Sequence, residues 1–306
     1  MNIMSLFDGC SGAQASLNKL GIKADNYFAS EVDAYAIKIA QKNYPDTIQM
    51  GDVKGVSIDK TFPKINLLVA GSPCQDLSFA RSGKGLEGTQ SNLFFEYARV
   101  LKELREINGD LKFLLENVRM KQENQNIISD LLGVEPILIN SAKLSAQNRP
   151  RLYWTNIEGV REPDDKGIVL SDILEKGITQ DSELFRGGKL KAYFGKKHRG
   201  KLGYSKDGLC HIGDANLKGH DSLLRVYHES GKAPTLNSMQ GGNREPKVFI
   251  APHSYRKLTV LECERLQGFS DNYTEGGVSN SQRYKMLGNG FQIDTVSHIL
   301  KNMGAV

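Results

Sequence analysis

The stretch 2–31, NIMSLFDGCSGAQASLNKLGIKADNYFASE, decides the fold. Residues 2–7 form a short β-prone run that breaks into a turn carrying Gly9 and Gly12. A helical pattern follows as far as Gly21, and a second β-prone run, 27–30, ends on Glu31. Strand, tight turn, helix and strand make a βαβ unit, whose turn lets backbone come close to a nucleoside. Glu31, 19 positions beyond Gly12, is placed to accept hydrogen bonds from ribose hydroxyls, and Asp52 in the following GDV is a candidate for adenine. Taken alone this turn is unspecific. Gly9 and Gly12 would serve any tight turn, Glu31 would serve as a surface acid, and a nicotinamide dinucleotide fits as well as S-adenosylmethionine.

Working outward, further strands are expected at 65–70, 113–115, 137–140 and 152–156, with helices in several of the gaps. This predicts an α/β domain over 1–161 with a parallel, Rossmann-like sheet. From 162 to 255 the composition shifts to Gly, Lys and short apolar pieces such as LKAYFGKKHRGKLGYSKDG (190–208), which reads as a smaller loop-rich domain. Helical spacing returns in KLTVLECERLQGF (257–269), and GNGFQIDTVSHILKNM (288–303) closes with a glycine turn and a helix, so 256–306 is assigned back to the first domain. The 306 residues, 39% hydrophobic and 25% charged, describe a globular chain with no membrane-span or signal-peptide pattern, and a cytoplasmic location is expected. Cys10, Cys74, Cys210 and Cys263 form no CxxC pair and no spacing with His that suits a metal. The net charge of +5 is compatible with an acidic partner and decides little.

Three further segments carry chemistry. INLLVAGSPCQDLSFA (65–80) sets a buried strand directly before Cys74, and open α/β sheets bind ligands at the carboxyl ends of their strands. A lone cysteine is commonly just a small core residue, the reading given to Cys10, Cys210 and Cys263. Cys74 has a better use as a thiolate nucleophile. Cytosine needs one, because its carbon 5 becomes reactive toward a methyl sulfonium only after a nucleophile has added to carbon 6. FLLENVRM (113–120) brings Glu116 to the same edge, where a desolvated carboxyl group would protonate or hydrogen-bond ring nitrogen 3. SAQNRPRLYW (145–154) alternates Gln147, Arg149 and Arg151 along an extended segment, so both guanidiniums are expected on one face, suited to a phosphate and a base carbonyl.

In order and spelling these pieces resemble the cytosine-5 DNA methyltransferases over nearly the whole chain apart from its middle. FDGCSG (7–12) is similar to the family's cofactor loop, SPCQ (72–75) to its nucleophile motif, ENV (116–118) to its carboxylate motif and QNRPR (147–151) to its Gln-x-Arg-x-Arg motif. RKLTVLECERLQGF (256–269) and GNGF (288–291) resemble its late helix and closing motif. The resemblance implies S-adenosylmethionine as cofactor, bound by Phe7, Asp8, Gly9, Cys10, Ser11, Gly12, Glu31, Val32, Asp52, Val53, Pro73, Leu93, Asn289 and Phe291. Phe7 would lie against the adenine, Glu31 would take the ribose hydroxyls and Asp52 the adenine amino group. It implies that Cys74 attacks carbon 6, Glu116 engages nitrogen 3, Arg151 reaches the base oxygen and Arg149 supports the site, on a base flipped out of the duplex. The chain departs from bacterial members at Asp8 and Ser11, where a small apolar residue and a glycine are usual. FDG, ASEV, GSPC and GLEGTQSNLFFE (85–96) look closer to the eukaryotic de novo branch, while the length is that of a bacterial or phage enzyme.

The middle segment is expected to recognise the DNA target. Between Arg186 and Lys206 stand eight Lys or Arg and no acid, interleaved with Tyr193, Phe194 and Tyr204. Candidate DNA contacts are Arg186, Lys196, Lys197 and Arg199, with Gln240, Asn243 and Arg244 of the loop MQGGNRE (239–245) for base edges. Gln147 joins them, as do Gln75, Ser78 and Lys84 from a nucleophile loop running to about Gly88 that would close over the base. The expected partner is double-stranded DNA, with a cognate restriction endonuclease as a further candidate and a monomeric enzyme. Three rivals stand beside this reading: a transfer-RNA cytosine methyltransferase, a catalytically silent DNA-binding regulator and a dinucleotide-dependent oxidoreductase. The basic middle argues against the first, intact Cys74 and Glu116 against the second, and SPCQ, ENV and QNRPR against the third.

Overall fold

The computed structural model describes residues 1–72, 91–193, 203–239 and 241–304, with backbone alone at 91 and 92. The chain divides into two compact units. The first comprises Met1–Ile139, Pro150–Glu162 and Thr295–Val306, and the second Asn140–Arg149 and Pro163–Asp294.

Unit one is built on the expected βαβ start. Strand β1 (Asn2–Leu6) leads into helix α1 (Gly12–Lys19) and strand β2 (Asn26–Ser30), which pairs parallel to β1 with Asn2 opposite Asn26 and Leu6 opposite Ser30. Helix α2 (Ala34–Asn43) starts where Asp33 accepts from the amides of Tyr35 and Ala36, satisfying donors that the first helical turn leaves free. Strands β3 (Ile48–Gln49) and β4 (Leu67–Gly71), helix α3 (Ser91–Ile107), β5 (Lys112–Val118), helix α4 (Gln122–Leu132), β6 (Ile137–Asn140) and β7 (Pro150–Thr155) complete it. The seven strands are ordered β3-β2-β1-β4-β5-β7-β6. β1, β2, β3, β4 and β5 pair parallel, whereas β7 runs antiparallel to β5.

Six of the seven strands lie where the sequence pattern placed them. β3, with two residues, is too short to have a legible period. β4 is buried at Leu67, Leu68, Val69 and Ala70, as expected of a central parallel strand covered on both faces. One face packs Met4, Leu6, Leu68, Ala70, Phe113, Leu115 and Trp154 against Phe94, Tyr97, Leu101 and Leu104 of α3. Arg99 ties that helix down through the Val53 carbonyl, its guanidinium oriented by Glu96 and Glu103 of the same helix.

Unit two contains β8 (Gly187–Tyr193), β9 (His211–Ala215), a short helix α5 (Asp221–Leu224), β10 (Arg225–Tyr227), β11 (Lys247–Ile250) and β12 (Ser254–Lys257), followed by α6 (Val260–Gln267) and α7 (Asn280–Asn289). A last helix, α8 (Ile293–Leu300), carries the chain back into unit one. The stretch expected to be loop-rich thus holds a closed five-stranded barrel, β10-β11-β12-β8-β9. Its strands each give only one or two residues to an interior of Leu190, Tyr193, Ile212, Ala215, Val226, Phe249 and Tyr255. That is too few per strand to write a periodic stripe into the sequence.

Candidate active site

In unit one the carboxyl ends of the parallel strands converge on one edge. After β1 the chain turns through Phe7 (φ 56°), Gly9 (φ 59°) and Ser11 (φ 66°), all left-handed, before α1 begins at Gly12. Two non-glycine residues in that region are costly, and such strain persists where surroundings enforce it. Here the enforcement comes from β2. The Asp8 amide donates to the Ser30 carbonyl at 3.1 Å, and the Gly9 amide to Glu31 Oε2 at 2.8 Å. The other carboxylate oxygen, Oε1, accepts from the amides of Val32 and Asp33, both at 2.8 Å. Glu31 is therefore the clasp that joins the turn to the end of β2. Beside it Val32 stands 70% exposed, an apolar side chain left in water.

Of the other cofactor candidates, Phe7 and Leu93 are half-buried against the core of this unit. Asp52 is exposed and accepts from the Lys54 amide at 3.0 Å. Val53 and Cys10 are buried, so a ligand would meet their backbone only.

Asp8 is fully buried, and Tyr27 Oη donates to its Oδ1 at 2.7 Å. Burial pushes its carboxyl group up from 3.8 to about 6, with Glu31 adding repulsion and the hydroxyls of Ser5, Tyr27 and Ser11 pulling the other way. The residue that departs from the bacterial pattern thus sits beneath the turn, pointing into protein.

On β5, Glu116 stands opposite Gly71 of β4 and Tyr153 of β7. Because β7 is antiparallel, its first residues lie beside the last of β5, and Arg151 is opposite Val118. Glu116 and Arg151 are therefore diagonal neighbours on one face, with Arg151 Nε 3.0 Å from Glu116 Oε1 and both side chains nearly buried. Next to them Asn117 Nδ2 donates to Ser72 Oγ at 3.0 Å, which ties β5 to the last described residue before Cys74. Cys74 lies outside the described residues, as do Pro73, Gln75, Ser78, Lys84, Lys196, Lys197, Arg199 and Gln240.

The QNRPR segment, whose Gln147 and Arg149 belong to unit two and whose Arg151 belongs to unit one, behaves differently from its expectation. Gln147 is fully buried, its Nε2 donating to the Leu266 carbonyl and to Gln267 Oε1 while its Oε1 accepts from the Leu236 amide. A side chain so enclosed does not contact DNA, which corrects that assignment. Arg149 is 2% exposed and donates to the carbonyls of Leu236 at 3.0 Å, Gly290 at 2.9 Å and Gly288 at 3.2 Å. Its fork is spent on backbone, so the two guanidiniums do not share one face as expected: Arg149 meets carbonyls, and Arg151 meets Glu116. Phe291 is buried, Asn289 exposed, Arg186 and Arg244 exposed and Asn243 half-buried.

A model of the family described as C-5 cytosine-specific DNA methylase matches residues 1–305. The chain belongs to that family. As a C-5 cytosine-specific DNA methylase it is a DNA cytosine-5-methyltransferase. It is 26% identical over 436 aligned positions to the orphan methyltransferase M.SPBetaI of Bacillus phage SPbeta, covering 99% of this chain and 97% of the relative. Among solved structures, the Entamoeba histolytica methyltransferase EhMeth superposes with a TM-score of 0.71 at 14% identity, over 99% of this chain and 97% of that one. A putative DNA modification methyltransferase encoded within an E. coli prophage gives 0.67 at 19% identity, over 99% and 98%. These two share its fold.

The methylase also uses buried ionic groups that motif reading did not anticipate. In α6, Glu262 is fully buried, gripped by both Arg256 nitrogens at 2.7 and 2.6 Å, and it completes a capping box with Thr259. Thr259-x-x-Glu262 is a legible signal for that cap. Glu264, equally buried, accepts from the amides of Asn272 and Thr274 and from Arg283. The late-helix motif is thus a packing device. The remaining thiols are inert by environment: Cys10, Cys210 and Cys263 are buried, and burial pushes the latter two further from ionisation. No helix among the described residues is long and apolar enough to cross a membrane.

Proposed function

We propose that this methylase takes its methyl group from S-adenosylmethionine and places it on carbon 5 of cytosine within a short specific sequence of duplex DNA, through a covalent adduct of Cys74 with a flipped-out base. The observation that carries the reading is the nearly buried Glu116–Arg151 pair on the edge where β4 runs out toward the Cys74 motif.

The residues of unit one suit an adenosine. Glu31 offers a carboxylate already oriented by three amides, Val32 offers exposed apolar surface, and the would-be Cβ direction of Gly9 is open space. S-adenosylmethionine, when bound, supplies a methyl carbon attached to a positively charged sulfur. Phe7, Glu31, Val32 and Asp52 would hold its nucleoside, with Leu93 closing the apolar side.

Cys74 Sγ, as thiolate, adds to carbon 6 of the cytosine and pushes electron density toward carbon 5. Glu116 receives that demand at nitrogen 3, where its carboxyl group donates a hydrogen bond. Arg151 holds Glu116 in place and presents further donors toward the base oxygen. Carbon 5 would take the methyl group, the sulfonium sulfur keeping the bonding pair as a neutral thioether; the proton on carbon 5 then leaves to water, and its electron pair expels Sγ and restores the ring double bond. Base flipping is required because a stacked cytosine is out of reach of both groups.

Residues 1–161 and 256–306 would form the catalytic and cofactor-binding domain and 162–255 the target-recognition domain, with Arg186, Asn243 and Arg244 as described DNA contacts. All groups invoked for the chemistry belong to this chain, so a monomer suffices and a restriction endonuclease is dispensable for the reaction. The test is incubation of the purified protein with unmethylated genomic DNA and S-adenosylmethionine, followed by bisulfite sequencing. Protected cytosines within one recurring short sequence are expected. No protection despite cofactor binding would overturn the reading in favour of an RNA substrate or a silent DNA-binding role.

A further inference from the structure

Unit two spends a buried ammonium group on the shape of one loop. Lys247, the first residue of β11, is 2% exposed, and its Nζ donates to the carbonyls of Leu223 at 2.8 Å, Asn243 at 2.7 Å and Glu245 at 3.0 Å. Three protons meet three acceptors, the full capacity of an ammonium. Two of those acceptors belong to the loop 239–245, and the third closes α5. Burying a charge merely to fill space is unfavourable compared with an apolar side chain of similar volume. The arrangement therefore serves the loop.

The loop itself needs holding. Met239 (φ 43°), Gly241 (φ 83°), Gly242 (φ 68°) and Asn243 (φ 61°) all lie in the left-handed region, two of them bearing side chains that resist it. Its entry is fixed by Arg149 on the Leu236 carbonyl and by Gly288, where a Cβ would stand 1.8 Å from the Asn237 carbonyl oxygen. At its exit, Lys257 Nζ lies 3.1 Å from Glu245 Oε2. Between these anchors Asn243 is half-buried and Arg244 exposed.

We propose that Lys247 is a specificity-determining positioning residue, which fixes the backbone of residues 243–245 so that Asn243 and Arg244 meet base edges in a single geometry. This rests on the reading of 162–255 as the target-recognition domain. Lys232 provides an internal comparison: it too is buried and donates to the carbonyls of Ala142, Ser145 and Ile168, none of them in that loop.

The experiment measures methylation rates on a cognate duplex and on single-mismatch duplexes for the wild type, Lys247→Met, Lys247→Gln and Lys232→Met, with the cognate site taken from bisulfite mapping of the wild type. Lys247→Met is expected to lower the cognate-to-mismatch ratio of kcat/KM by about tenfold or more, the scale of one misplaced base contact, while kcat on the cognate duplex changes less. Lys247→Gln, which keeps two donors, is expected to fall between, and it stands in if the Met variant does not fold. Lys232→Met is expected to lower stability with the ratio unchanged. Wild-type discrimination in folded Lys247 variants, or an equal loss in Lys232→Met, would overturn the proposal while leaving the functional reading intact. A wild type that methylates no DNA would overturn both.

Discussion

Asp8→Asn tests the energetics beneath the cofactor turn. The folded carboxyl group titrates near about 6 because burial disfavours its charge, against 3.8 when unfolded. Below 3.8 both states are protonated and Asp8 costs nothing. As pH rises from 3.8 to about 6 the unfolded chain loses its proton while the folded protein keeps it, so the unfolded state is progressively favoured. Above about 6 the penalty is complete, and the gap between the two values corresponds to about 3 kcal/mol. Asparagine has nearly the same shape, still accepts from Tyr27 and never ionises. The variant should therefore match the wild type near pH 4 and exceed its stability by about 3 kcal/mol at pH 8. Trp154, the only tryptophan of the chain and fully buried in unit one, reports unfolding of the right unit by fluorescence in urea. Equal stabilities at pH 8, or a variant weaker there than at pH 4, would refute the argument and show that the Tyr27, Ser5 and Ser11 hydroxyls hold a carboxylate at no net cost.

Three further outcomes are expected. Cys74→Ser should abolish methyl transfer from labelled S-adenosylmethionine while calorimetry shows cofactor affinity largely unchanged, and full activity would sink the covalent mechanism. Glu116→Gln keeps the shape of the carboxyl group but not its proton; single-turnover kcat should fall on the order of 100-fold or more, the scale of a lost general acid, with DNA binding retained by gel shift. Arg256→Met leaves the fully buried Glu262 without its partner, so unit two should lose about 3–5 kcal/mol in urea unfolding, and adding Glu262→Gln should recover much of it.

Local pattern was enough to specify the α/β sheet. A strand-turn-helix-strand unit writes its period, its glycines and its strand-end acid within 30 consecutive residues, and the apolar runs of β4 and β5 are continuous because both faces of a central strand are covered. The family was legible because chemistry restricts which residues serve at a strand's end: Cys74 after β4 and Glu116 within β5 are spelled out in order along the chain. The sequence also singled out Glu31, and the structure places its carboxylate on the amides of Gly9, Val32 and Asp33.

What tertiary structure alone decided is which protein group each polar side chain meets. Gln147, Arg149 and Arg151 alternate identically in the sequence, yet Gln147 and Arg149 spend their donors on groups more than 80 residues away, while Arg151 meets Glu116 across an antiparallel pair. No local pattern distinguishes them, because the acceptors are backbone carbonyls that every residue carries. Lys247 and the barrel strands were hidden for the same reason. A buried ammonium looks like any lysine until the three carbonyls around it are known, and a strand giving one or two side chains to a core has no period to read.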